Sequence, residues 1–209
     1  MSSNRRRIRK VVLIATPLLL GVVLVGCIGI SNGTWYVKSA ATPEHWPELT
    51  PIGTVEVKTY PPYRAASVSA ADVNRGGMGP MFMTLFRHID ENQIAMTAPV
   101  NMEFEQERAT QEMTSMSFLY RTAAVGDTGP DGAVSVEDVE PCTVASVGVR
   151  GDYTVANFNR GLSQLREWLE QNPQYEESGR PRYLGYNSPF VPKFARYGEV
   201  QIPLDRDQE

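Results

Sequence analysis

Any chemistry in this 209-residue chain has few reactive side chains to draw on. It has two histidines, His45 and His88, and two cysteines, Cys27 and Cys142. His88 follows Met81 by seven residues and Leu85 by three. At about 100° per residue, Met81 and His88 fall roughly 20° apart on a helix, so a thioether, an aliphatic group and an imidazole share one face. His45 lies between Glu44 and Glu48, a weak spacing for a metal, in a stretch that reads as loop. No Walker phosphate loop, His-Glu-x-x-His helix, Cys-x-x-Cys pair or Gly-x-Ser-x-Gly elbow occurs. With so few histidines and cysteines, the common hydrolytic constellations are hard to assemble. A site of carboxylates or tyrosines stays open, and Glu199, at the start of the last strand-like segment, is its first candidate.

The N-terminus carries a different kind of signal. Arg5, Arg6, Arg7, Arg9 and Lys10 precede an apolar run from Val11 to Val25, broken only by Thr16 and Pro17. A basic cluster before an apolar core of this length reads as an export signal, with the positive charge held on the cytoplasmic side. Leu24-Val25-Gly26-Cys27 resembles the lipobox of bacterial lipoproteins, which makes Cys27 the expected site of lipidation. The alternative is an uncleaved anchor, since Val11 to Ile30 is just long enough to span a bilayer core of roughly 30 Å. Either way residues 1–30 form a signal peptide or membrane anchor, and the rest is expected outside the cytoplasm, in a bacterial periplasm or at the cell surface.

All 24 acidic residues lie beyond this leader, against 15 of the 20 basic ones, so the remainder carries a net charge of −9. Such a domain is not expected to bind nucleic acid, which demands lysines and arginines against phosphate. With Cys27 committed, Cys142 has no partner in the chain, so a hydrophobic core must do the work of disulfides. A monomer is expected.

Residues 31–51 read as a linker, rich in turn residues and without periodicity; Asn32-Gly33 suits a turn. A domain follows over 52–204, with a short tail at 205–209. Within it the pattern repeats at an offset of 79 residues: Val55-Glu56-Val57-Lys58 and then Pro62 to Val68 correspond to Val134-Ser135-Val136-Glu137 and then Pro141 to Val147. Each copy leads to a helix. The first is expected from about Pro80, burying Phe82, Leu85, Phe86 and Ile89, and the second over 157–172, burying Phe158, Leu162, Leu165 and Leu169. Strand-like segments follow each helix, at 94–104 and 116–121, then at 182–190 and 199–204. A loop is expected over 124–132 and a polar hairpin over 103–112. Each half thus reads strand, helix, strand, strand, and two such units would pair in one antiparallel sheet or barrel.

Three segments carry a family resemblance. They are Phe86-Arg87-His88-Ile89 leading to Met96-Thr97-Ala98-Pro99-Val100, the run from Arg182 to Phe194 that contains Tyr186-Asn187-Ser188-Pro189-Phe190, and Glu199-Val200-Gln201-Ile202-Pro203-Leu204. Together they resemble the SOUL haem-binding protein family over roughly residues 52–204. The resemblance implies an α+β fold of duplicated β-α-β-β units, a twisted antiparallel barrel flanked by two helices, similar to the effector-binding domains of some bacterial regulators. It also implies binding of haem or a related tetrapyrrole without catalysis, in the service of scavenging, buffering or delivery. It places the contacts on the first helix. Met78, Met81 and Leu85 would then form an apolar strip that ends at His88, a candidate iron ligand. Arg87, Arg182 and Lys193 are candidate partners for propionates. The alternatives are another apolar small molecule in the same groove, or an envelope protein-interaction module without haem.

Overall fold

The computed structural model describes residues 28–73, 77–105 and 112–206. The leader through Cys27 and the tip of the expected polar hairpin lie outside them. No helix among the described residues is long and apolar enough to cross a membrane.

A small hairpin comes first, β1 (Ile28–Ser31) and β2 (Thr34–Val37). Asn32 and Gly33 both take positive φ, 46° and 73°, as a tight two-residue hairpin turn requires. Then follow β3 (Val55–Tyr60), β4 (Tyr63–Ser69), α1 (Met78–Glu91), β5 (Val100–Phe104), β6 (Met113–Leu119) and β7 (Gly129–Asp131). The second half holds β8 (Val134–Val139), β9 (Cys142–Arg150), α2 (Val155–Glu170), β10 (Tyr175–Glu177), β11 (Arg182–Gly185) and β12 (Tyr197–Arg206).

Two strands, not one, precede each helix. Pro61-Pro62 and Glu140-Pro141 interrupt the extended runs, because proline cannot donate to a ladder. β8 and β9 begin 79 residues after β3 and β4. The main sheet is antiparallel throughout, in the order β3-β9-β12-β11-β5-β6-β4-β8-β7, with β10 added on β12. Exchanging β3 with β8, β4 with β9, β5 with β11 and β6 with β12 maps the first eight strands of this order onto themselves. The two ends are not joined by any ladder among the described residues, so the sheet is open where a closed barrel was expected.

Side chains alternate across the sheet. On β12, Val200, Ile202 and Leu204 face α1 and α2 and join the main core with Leu85, Phe158 and Val147. Tyr197, Glu199 and Gln201 point to the opposite face. Thr154 caps α2, its hydroxyl accepting from Asn157 N at 3.2 Å. In α1 the buried positions are Met81, Leu85, His88 and Ile89, whereas Phe86 is 42% exposed. Leu85 and Ile89 are buried as expected, but Met81 and His88 take the places expected for Phe82 and Phe86, because α1 is apolar on more than one side and His88 finds partners that let it be buried.

The expected linker is part of the domain. Leu49 and Thr50 are buried, and Thr50 N donates to Glu199 Oε1 at 2.8 Å. Gly148 makes room for this strap, since a Cβ there would overlap the Thr50 carbonyl. The Trp46 ring sits 4.5 Å from that of Tyr60 and 5.5 Å from that of Tyr63, and its Nε1 donates to Tyr186 Oη at 3.1 Å. The strap lacked periodicity because its side chains fill gaps in the face of the sheet away from the helices.

Candidate functional site

The outer side of α1 is the most apolar accessible surface beside a cavity. Met78, Phe82 and Met83 form one wall of a groove of about 320 Å³, and Val100, Met102 and Met116 from β5 and β6 form its floor. The far wall is Tyr153, Gly185, Asn187, Pro189 and Arg196. A second cavity of about 240 Å³ continues along Phe82, Phe86, Met96 and Pro189. The first volume lies at the lower end of the roughly 300–1,000 Å³ found for small-molecule sites, and the second falls below it. Met78, Met83 and Phe86 are 41%, 54% and 42% exposed.

The far wall is rigid. The Tyr153 ring lies over Gly185, where a Cβ would come within 3.1 Å of it. Tyr153 Oη donates to Tyr197 O at 3.0 Å and accepts from Asn187 N at 2.8 Å. Burial pushes this phenol above its ordinary range. Arg196 donates to Asp152 and to the carbonyls of Pro189 (2.6 Å) and Val191 (2.9 Å), which pins the loop after β11. Among the described residues, no carboxylate or imidazole lines either cavity. The groove can hold a flat or elongated apolar molecule against polarizable thioethers.

The residues expected at a tetrapyrrole site are scattered. Met78 lines the groove, whereas Met81 and Leu85 are wholly buried beneath α1. His88, expected at the domain's rim, is 6% exposed and both ring nitrogens are engaged. Asp131 Oδ2 accepts from Nδ1 at 2.6 Å, and in the tautomer this selects, Nε2 accepts from the Tyr120 hydroxyl at 2.7 Å. His88 lines neither of the two cavities. Arg87 is exposed and outside both cavities. Lys193 is 74% exposed and pairs with Asp152 at 2.7 Å. That contact, helped by Arg196 and opposed by burial, holds the Asp152 carboxyl below its usual range. Arg182 is sealed on the other face of the sheet, donating to Gln201 Oε1 (2.9 Å) and Tyr63 Oη (3.2 Å), with Cys142 Sγ 3.8 Å away.

Sequence reasoning missed Met83, Met102, Met116, Tyr153 and Arg196. One signal was available: Gly79, Phe82, Met83 and Phe86 form a second small or apolar stripe at i, i+3, i+4 and i+7. A helix apolar on two sides is either fully buried or keeps one side for a partner.

Glu199 is wholly buried and saturated. Oε1 accepts from Thr50 N, Lys58 Nζ (3.0 Å) and Tyr197 Oη (2.9 Å), and Oε2 from Gln201 Nε2 (2.8 Å), Tyr60 Oη (3.2 Å) and Ser146 Oγ (3.2 Å). The strap closes over it. This carboxylate holds the domain together and is not poised for acid–base work. Among the described residues, no group of three or more histidines, cysteines and carboxylates could hold a metal.

Solved structures share the fold. A hydrolase from Listeria innocua superposes at TM-score 0.57 with 9% identity, covering 74% of this chain and 93% of that one. The C-terminal domain of EcmrR superposes at 0.52 with 17% identity, covering 73% and 98%. Against EcmrR in its DNA complex the TM-score is 0.53 at 16% identity, with 73% of this chain covered; the chain spans 57% of that protein's length. At these identities the likeness is one of fold alone. No curated protein matches the sequence. The family model of the SOUL heme-binding proteins matches residues 44–203, beginning inside the strap that the structure joins to the domain, and the chain belongs to that family.

Proposed function

We propose that this protein is a membrane-tethered, extracytoplasmic carrier of an apolar small molecule, haem or a related tetrapyrrole first, held in the groove between α1 and the loop after β11. The observation that carries this reading is the solvent-open, methionine-rich groove itself, in a family named for haem binding. The leader's basic and apolar segments support tethering and export. The sealed state of Glu199 and the apolar lining of the groove support binding without catalysis. The self-mapping strand order supports reading the two halves as copies of one unit, paired as a partly open barrel.

The groove fits a tetrapyrrole through its apolar walls. Met78, Phe82, Met83 and Met116 would hold the macrocycle, and Arg196 is the one cation among the described residues that lines the groove. Bound haem would bring the redox and ligand chemistry of its iron. The protein's own part is to exclude water with thioethers and phenyl rings. A second reading, another flat apolar molecule, is favoured by one specific observation: the imidazole lies elsewhere, so recognition rests on shape and apolar surface.

The test is a titration of the full-length protein in nanodiscs with ferric haem and with iron-free protoporphyrin, beside Gly79→Trp. A Cβ at Gly79 would meet nothing within 4 Å, so an indole can fill the groove without displacing the fold. Saturable binding that Gly79→Trp weakens about tenfold or more, roughly 1.4 kcal/mol, supports the reading. Equal binding of both porphyrins would show that iron is not read. Haem binding that ignores Gly79→Trp would refute the groove.

A further inference from the structure

The N-terminal hairpin has two unlike faces. One is turned to the domain: Thr34 is buried, and Ser31 Oγ accepts from Leu49 N at 3.1 Å. The pairing Ile28↔Val37 and Ile30↔Trp35 sets the side chains of those four residues on the other face. Ile28, Ile30 and Trp35 are 50%, 78% and 45% exposed.

This face continues onto the loop after β11. The Arg150 guanidinium lies 3.8 Å from the centroid of the Trp35 ring and donates to both the Trp35 carbonyl (2.6 Å) and the Ala195 carbonyl (3.1 Å). Asn187 Nδ2 donates to Val37 O and its Oδ1 accepts from Tyr197 N. Hairpin and loop are therefore fixed side by side. The loop presents Phe190 and Phe194, 94% and 78% exposed, with Lys193 between them. Exposed isoleucines, a tryptophan and two phenylalanines at one end of an otherwise acidic domain are costly in water.

The chain itself says what covers them. Only Gly26 and Cys27 separate the apolar run that ends at Val25 from the first residue of β1. Fully extended, three residues reach about 10 Å. With residues 31–51 built into the domain, no linker is left to carry it away from the bilayer. Because Ile28–Ser31 is strand, an uncleaved span would have to end by Cys27, short of the Ile30 expected from the sequence; with Cys27 lipidated or with that shorter span, the inference rests only on the N-terminus being membrane-held, as proposed above. Aromatic rings with flanking lysines suit the headgroup layer, where one end is apolar and the other wet.

We propose that this end of the domain, the outer face of the hairpin together with Phe190 and Phe194, docks into the phospholipid surface that holds the N-terminus. The groove's Pro189 rim adjoins Phe190, so an apolar ligand would reach the groove from the lipid phase without crossing bulk water.

The test uses the full-length protein in phosphatidylcholine vesicles with and without bromine on the acyl chains. The protein has three tryptophans. Trp46 is wedged between Tyr60 and Tyr63, and Trp168 lies against Tyr175, 5.6 Å between centroids. Brominated lipid should remove the share of emission carried by Trp35, and Trp35→Phe should abolish that loss. Phe190→Trp, at a side chain too exposed to matter for folding, should add a further quenched share. A protein that floats with the vesicles but shows no bromine-dependent loss in wild type or Phe190→Trp overturns the docked face and leaves the anchor standing. A protein that does not float overturns both.

Discussion

Replacing His88 by alanine should cost stability and leave ligand binding intact, the reverse of what an iron ligand would do. The imidazole holds two partners of unequal weight. Asp131 is 55% exposed, so solvent screens its bond to Nδ1 and that bond adds little. Tyr120 is 1% exposed, and its hydroxyl has the His88 ring as partner. Truncation leaves a buried phenol unsatisfied, which costs about 1–3 kcal/mol. It also opens a void beside Ile89 and Leu85 that adds roughly 1 kcal/mol. A total of about 3 kcal/mol should lower the melting temperature by roughly 6–12 °C in a domain of this size. His88→Gln, which keeps an acceptor and a donor, should recover part of it. Melting is read by circular dichroism, and a haem titration is run on the same samples. A melting temperature unchanged in His88→Ala, with the Soret shift abolished, would refute the argument and return His88 to the ligand role.

The Glu199 network should behave as a buried charge pair. Glu199→Ala or Lys58→Met alone should destabilise by about 3–5 kcal/mol, and Glu199→Ala with Lys58→Met should cost less than the sum of the two, as a denaturant double-mutant cycle would reveal; Thr50 N, Tyr60, Tyr197 and Gln201 still lose their acceptor, so the loss is not recovered in full. In alkali the buried phenols set the limit. Burial above all raises Tyr60, Tyr63, Tyr153, Tyr183, Tyr186 and Tyr197 above the ordinary value of 10.0. Above pH 10 the unfolded chain releases protons that the folded one keeps. Stability is therefore full below that pH and falls as pH rises, by about 1.4 kcal/mol per pH unit for each such tyrosine. Tyrosinate absorbance should grow in one step, together with loss of ellipticity; gradual ionisation of a folded protein would count against the burial.

What the sequence made legible followed from periodicity and punctuation. Both helices, the 79-residue offset and the final strand rest on spacing that survives any tertiary context, and α2 keeps Phe158, Leu162 and Leu165 in its core as expected. Phase failed where periodicity is degenerate. α1 is apolar on more than one side, so spacing found Leu85 and Ile89 but not Met81 and His88, and His88 is buried through contacts far away in sequence, with Tyr120 and Asp131. The strap failed for a related reason. Trp46, Leu49 and Thr50 plug a sheet face that strands from both halves create, and such a surface has no local signature. The groove's floor was illegible too, because Met102 and Met116 read as ordinary strand interior until α1 is set to one side of them.

The two faces of the sheet divide the work. Away from the helices, Glu199, Lys58, Arg182 and the tyrosines are locked by one another and by the strap, so polar recognition there is spent on the fold. Towards the helices, α2 seals its half by burying its apolar stripe, whereas α1 buries one apolar stripe and leaves another open over four methionines. Two helices in matching positions of a self-mapping sheet therefore differ in one respect, the second stripe of Phe82, Met83 and Phe86. A stripe needed only for packing would have been as polar as the outer side of α2, where Arg166, Glu167 and Glu170 stand. Its persistence in water, beside a cavity and a pinned loop that ends in exposed phenylalanines, makes sense if the ligand and the membrane each cover what the chain leaves bare.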